Sequence, residues 1–178
     1  YFMRHLNLAG SNFMTMQNNN NSRILLKRLK KTLSELGEAQ ARLNKIVKII
    51  ADSMNSEVCS IYLINRNNIL ELYATEGLRS KAVHYSQLNV GQGLVGKIAA
   101  TAEPIKTSQA SKTKGFRYLP ETGEEIYNSF LGVPIQRLGK MLGVLVIQNL
   151  KNREFTDDDV YGLEIVAMVI AEMAELGI

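Results

Sequence analysis

The apolar positions of this chain follow two periods, one of strands and one of helices, and the densest strand signal lies in the second half. Phe130 to Ile135 and Leu142 to Ile147 are aliphatic and β-branched runs, with Arg137, Leu138, Gly139 and Lys140 between them as a turn. Gly139 can take the positive φ that a tight hairpin turn requires. The pattern predicts two antiparallel strands. The unbroken apolar character of GVLVI further predicts burial on both faces, with helices on one side and a loop or cavity on the other. A second hairpin is predicted from Val58 to Ile64 and from Ile69 to Thr75, joined by Arg66-Asn67-Asn68. Glu76-Gly77-Leu78 then leaves the sheet, and His84 to Leu88 is predicted as a third strand. Gly91, Gly93 and Gly96 punctuate the entry to a short helix from Leu94 to Thr101, and Pro104 to Thr107 reads as a further short strand.

The helical period is clearest near the two ends. Ser22 is a candidate N-cap, and the apolar positions behind it alternate by four and three: Leu25, Leu29, Thr32, Leu36, Ala39, Leu43, Ile46 and Ile50. One helix over 22–54 is predicted, with this seam as a candidate dimer contact. The last helix starts at Thr156, which with Asp159 forms an acidic variant of the capping box, and it continues from Val160 to Leu176. Its middle, IVAMVIA, is apolar nearly all round, so it must bury two faces, one on the sheet and one on the first helix or a second subunit.

Between the strands lies a long polar segment, Ser108 to Asn128. Loops of this length in compact domains are usually functional. It supplies candidate ligand-binding residues: Arg117 to clamp a carboxylate with two donors, Glu121, Glu124 and Glu125 to receive an ammonium group, and Tyr118 as a lid, with Ser129 at the foot of the loop. The alternative reading is that these charges neutralise one another on a wet surface loop.

Composition narrows the classes. A length of 178 residues with 46% hydrophobic content suits one substantial core with a helical extension. The net charge of +4 is local: residues 23–48 hold eight Lys or Arg against two Glu, while residues 49–178 hold twelve against fifteen acids. That places the basic character on one helix face, and with no aromatic interleaving or nucleic-acid motif no nucleic-acid partner is expected. The single Cys59 sits in an apolar strand and reads as a small buried hydrophobe. His5 and His84 are too far apart to form a metal-ligand cluster. The GQGLVG segment lacks the lysine and hydroxyl of a phosphate-binding loop, so its glycines read as turn and packing positions. Residues 1–21, with the QNNNN run, are expected to be disordered or partly a cloning remnant. No apolar run of membrane-spanning length and no signal peptide is seen, and the expected location is cytoplasmic.

Six segments taken together resemble one family: EVCSIYL from Glu57, LELYATEGL from Leu70, VGQGLVGKIA from Val90, RYLPETGEE from Arg117, SFLGVPI from Ser129 and GVLVIQN from Gly143. The resemblance, running from about Ser22 to Gly177, is to the N-terminal GAF domain of the nitrogen-branch Enzyme I family of phosphoenolpyruvate-protein phosphotransferases, the PtsP family. It implies an α+β GAF fold, with a central antiparallel sheet of five or six strands, the N- and C-terminal helices on one face and a loop-covered pocket on the other. It divides the chain into a dimerisation helix at 22–54 and a sensory domain at 55–178. The resemblance also implies a regulatory input to an enzyme that uses phosphoenolpyruvate to phosphorylate a histidine and passes the phosphoryl group to an NPr-type carrier. Glutamine is then the expected effector, and the catalytic residues and Mg belong to parts absent from this chain.

Three alternatives stay open. A cyclic-nucleotide-binding GAF domain would carry an Asn-Lys, Phe, Asp-Glu pattern, only partly echoed by Asn149, Lys151, Phe155 and Asp159. A tetrapyrrole sensor would need a better placed cysteine than Cys59. A ligand-free dimerisation module would show a pocket filled by its own side chains.

Overall fold

The computed structural model describes residues 23–175. The predicted N-cap Ser22, residues 1–21 and the end of the last helix at Leu176 lie outside the described residues. Six strands form one sheet in the order β3-β2-β1-β6-β5-β4: β1 (Val58–Ile64), β2 (Ile69–Glu76), β3 (Gln87–Asn89), β4 (Ile105–Thr107), β5 (Ser129–Arg137) and β6 (Lys140–Asn149). Every pairing is antiparallel. The third strand starts later than its sequence suggests, because His84 takes a φ of +60° and bends the chain before Gln87.

Burial on both faces of the central strands is what GVLVI requires, and side chains alternate between two cores. Cys59, Ile61, Leu63, Leu131, Val133, Ile135, Leu145 and Ile147 face one core, completed by helices α1 (23–34), α2 (Ala39–Ser53) and α4 (Asp157–Glu175). Tyr62, Leu70, Leu72, Phe130, Val144 and Val146 face the other, covered by α3 (Gly93–Thr101) and the loops. The terminal helices therefore share one face, and the loops hold the opposite one.

The single N-terminal helix expected over 22–54 is two helices. Residues 35–38 break it, and the Arg42 guanidinium donates to the carbonyls of Glu35 at 3.3 Å and Gly37 at 3.2 Å, serving backbone groups that the helix no longer pairs. The break disposes of the continuous seam. Leu25, Leu29, Leu43, Ile46 and Ile50 are buried in the chain's own core, whereas Leu36 at the break is fully exposed. Five of the six leucines and isoleucines assigned to a dimer contact are thus already covered within one chain.

At the other end the predicted capping box forms. Asp159 N–H donates to Thr156 Oγ1 at 3.1 Å and Thr156 N–H donates back to Asp159 Oδ2 at 2.9 Å, satisfying donors that the helix start leaves over. The other carboxylate oxygen of Asp159 accepts from Arg153 at 3.0 Å.

In the β5–β6 hairpin, both residues between the strands, Leu138 and Gly139, have positive φ, +49° and +76°. A branched aliphatic residue in that region carries a backbone penalty of about 1 kcal/mol, and Leu138 is 92% exposed, so no packing offsets it. Leu138→Asn is expected to raise the melting temperature by about 2–4 °C, measurable by far-UV circular dichroism.

Candidate functional site

The cavity lies on the face opposite the terminal helices. Its floor comes from the central strands, where the β6 residues facing this side run Val144, Val146, Gln148, an apolar series that turns polar at its last member. Gln148 pairs with Val58 of β1 and Phe130 of β5, so it sits on a central strand with neighbours on both sides. Its side chain lines the cavity, the residue is only 2% exposed, and its amide makes no hydrogen bond among the described residues. Tyr62 of β1, equally buried, lines the same space. Burial pushes the Tyr62 phenol well above its usual range, and the Glu124 and Glu121 carboxylates add to the shift, so the hydroxyl keeps its proton and the local field is negative.

One wall is the start of α3. Gly93, Leu94 and Val95 line the cavity, and the residue before them, Gln92, gives the helix no side-chain cap. Its Oε1 accepts instead from Asn89 N–H at 3.0 Å. The first amides of a helix have no intrahelical acceptor and carry the positive end of its dipole, so this wall favours an anion. Gly96 closes the same turn: a Cβ there would approach Asn89 O to 2.5 Å, which accounts for a glycine of the GQGLVG segment by packing.

The roof is the long segment 108–128, and it is more ordered than a wet loop. It contains two short 3-10 turns, Ala110–Lys112 and Glu124–Ile126, and it buries Ala110, Leu119 and Thr122. Thr122 Oγ1 donates to Leu119 O at 2.7 Å, and Leu119 N–H donates to Glu124 Oε1 at 3.1 Å. With the roof in place the cavity volume is about 20 Å³, room for roughly one water.

Of the candidate residues, the structure brings Arg117 and Glu124 to the cavity wall, together with Phe116 and Leu119. Arg117 makes no ion pair among the described residues. Tyr118 is exposed and stands off the lining, and Glu121 acts only through its field on Tyr62. The side chain of Glu125 lies outside the described residues. Ser129 is corrected: it is fully buried, and its hydroxyl donates to Lys151 O at 3.0 Å, fixing the chain beyond β6 instead of facing the cavity. Sequence reasoning missed Tyr62, Gln148 and the first residues of α3. The break in the period-two apolar series at Gln148 was the available signal.

The roof is fastened to the segment that follows β2. Arg79 N–H donates to Thr122 O and its guanidinium to Pro120 O, both at 3.1 Å, while Tyr127 Oη donates to Gly77 O at 3.2 Å. The far end of that segment is His84, with Nδ1 at 2.9 Å from Glu71 Oε1 and Nε2 at 3.0 Å from Gln40 Oε1 of α2.

Comparison with known families decides what this architecture is. The GAF domain family profile matches residues 38–173. The chain belongs to the GAF domain family.

Within it, this GAF domain is of the PtsP type. It is 30% identical to the GAF domain of an Acinetobacter phosphoenolpyruvate-protein phosphotransferase, covering 89% of this chain and 93% of that one, with a TM-score of 0.77. The GAF domain of the corresponding phosphotransferase (ptsP) from Coxiella burnetii superposes with a TM-score of 0.79 at 29% identity, over 85% of this chain and 91% of that one. A curated relative from Escherichia coli strain K12, a component of the phosphoenolpyruvate-dependent phosphotransferase system, is 35% identical over 62% of this chain. The aligned part spans about 15% of that relative's length.

The residues that echo a cyclic-nucleotide motif brace the GAF domain's framework. Asn149 Nδ2 donates to Asn55 O at 2.9 Å and to Glu57 Oε2 at 2.6 Å, Phe155 is buried under the Arg153 guanidinium, and neither residue lines the cavity. Cys59 is buried in the helix-side core, and that burial, with the Glu76 charge, pushes its thiol far up. Among the described residues, no group of three or more His, Cys, Asp or Glu is arranged to hold a metal ion. No helix among them is long and apolar enough to cross a membrane.

Proposed function

We propose that this GAF domain is the small-molecule-sensing, regulatory part of a phosphoenolpyruvate-dependent protein phosphotransferase of the nitrogen branch, and that its ligand is L-glutamine. The observation that carries the reading is one cavity combining an uncapped helix start and Arg117 with Glu124 and two buried polar side chains, Tyr62 and Gln148. A carboxylate is favoured by α3 and Arg117, and an ammonium by the acidic roof. A ligand of this size needs the roof to lift, since the closed cavity takes about one water. Binding then shifts the population toward a lifted, reordered roof.

On this reading the phosphoryl chemistry belongs to other parts of the parent protein, with its Mg ion and its NPr-type carrier partner, and this chain alone has no turnover. Calorimetry of the chain with glutamine, glutamate and 2-oxoglutarate tests it. Glutamine is expected to give saturable heat, and at a hundred times the dissociation constant to stabilise the fold by about 2.7 kcal/mol. No heat and no thermal shift at millimolar concentrations would remove glutamine as the ligand.

A second reading, a ligand-free dimerisation module, is favoured by the small closed cavity and by the outer face of α4, where Tyr161, Ile165 and Met168 are exposed in one stripe. The occupant of that stripe would be a second copy. Its α1, with exposed Arg23, Lys27, Lys30 and Lys31, complements the Asp158 and Glu172 flank of α4. A dimer unaffected by any of the three metabolites in sedimentation velocity runs would favour this reading over sensing.

A further inference from the structure

A buried amide with no partner is costly: leaving such a donor and acceptor unsatisfied forfeits about 1–3 kcal/mol. Gln148 is such a group, on a central strand at a position where Val144 and Val146 set an apolar precedent. Valine or leucine would fill this place on the sheet without that loss. The retained amide therefore marks a contact made only when the roof is raised, and the question is with what chemistry.

The surroundings answer it. An anion beside Gln148 would enter the negative field of Glu124 and Glu121 that also keeps the Tyr62 hydroxyl protonated. A cation would find no carboxylate on the floor, where the lining side chains are Tyr62, Phe130 and Gln148. A neutral group with one donor and one acceptor pairs with a glutamine amide through two hydrogen bonds at once, and a carboxamide is that group. The charged end of the ligand is served elsewhere, by the open amides at Gly93, Leu94 and Val95 and by Arg117 on the same cavity.

We propose that Gln148 is the specificity-determining residue of this cavity, pairing with the side-chain carboxamide of an amino acid whose α-carboxylate lies at the start of α3, and that it discriminates against a second carboxylate. The proposal rests on the sensing reading above. A site built to hydrogen-bond a particular group rejects analogues lacking it far more strongly than an apolar pocket does, because its own polar atoms are then left unpaired.

The experiment is calorimetric titration of L-glutamine and L-glutamate into the whole chain and into Gln148→Met, a replacement of nearly equal volume without the amide, with melting temperatures recorded for both proteins without ligand. The expected result is at least tenfold preference for glutamine over glutamate in the parent chain, and at least a tenfold loss of glutamine affinity in Q148M. The ligand-free melting temperature of Q148M should be equal to or higher than that of the parent, since the unpaired amide is gone. Glutamine binding that is undiminished in Q148M overturns the inference and leaves the sensing reading intact. A clear fall in the ligand-free melting temperature of Q148M also overturns it, by showing that the amide serves the fold. Failure of the parent chain to bind either amino acid overturns both. Gln148→Leu, run alongside, guards against misfolding peculiar to the methionine variant.

Discussion

Replacing Gly143 with alanine is expected to cost this fold about 3 kcal/mol and to lower its melting temperature by about 6–12 °C. Gly143 opens the apolar run of β6, paired with Leu63 of β1 and Ile135 of β5. A Cβ built on it would overlap the backbone carbonyl oxygen of Tyr62 and stand 3.0 Å from Leu63 Cα. Both obstacles are main chain on a central strand, so neither can swing aside as a side chain would. The strain must be relieved by spreading β1 from β6, which are the two strands that carry Tyr62 and Gln148. Thermal denaturation of Gly143→Ala measures the cost. A melting temperature within about 2 °C of the parent would mean that the two strands are not packed this closely.

The second large effect concerns the N-terminal helices. Leu43→Ala is expected to destabilise by about 2–5 kcal/mol, because the deleted methyl groups come from a fully enclosed site and leave a cavity. Leu36→Ala, at the exposed break between α1 and α2, should stay within about 0.5 kcal/mol of the parent. The contrast separates two uses of the same heptad. If Leu43 is held inside one chain, the loss should be the same when melting is repeated at tenfold different protein concentrations. A contact between subunits would instead make the melting temperature depend on concentration. Equal losses for Leu36→Ala and Leu43→Ala would contradict the division of the seam.

The strands were the most legible part of the sequence. Val58–Ile64 and Ile69–Glu76 stand within a residue of their predicted limits because β-branched runs between Gly, Asn and Pro have few other places to go. The break at 35–38 was not legible from periodicity, since a heptad count continues through a kink when the spacing happens to be kept. Gly37 and the cation at Arg42 were its local signs. The site divided along the same line. Arg117 and Glu124 were found because charge on a long loop is conspicuous, while Ser129 was misread because nearness to the loop in sequence says nothing about which side of a strand a hydroxyl takes. Gln148 and Tyr62 stayed hidden inside runs that look like core.

The hydrogen bonds of residues 77–84 turn a wall into a wall with a tether around its edge. The sheet keeps cavity and terminal helices on opposite sides, and a close-packed barrier of this kind transmits little sideways shift. Arg79 grips the cover at Pro120 and Thr122, and eight positions' worth of backbone at most separates Gly77 from His84, which holds Gln40 on the second helix. Lifting the cover therefore pulls a short cord whose other end is knotted to the helical layer, so mechanical news from one side reaches the other without any strand having to move.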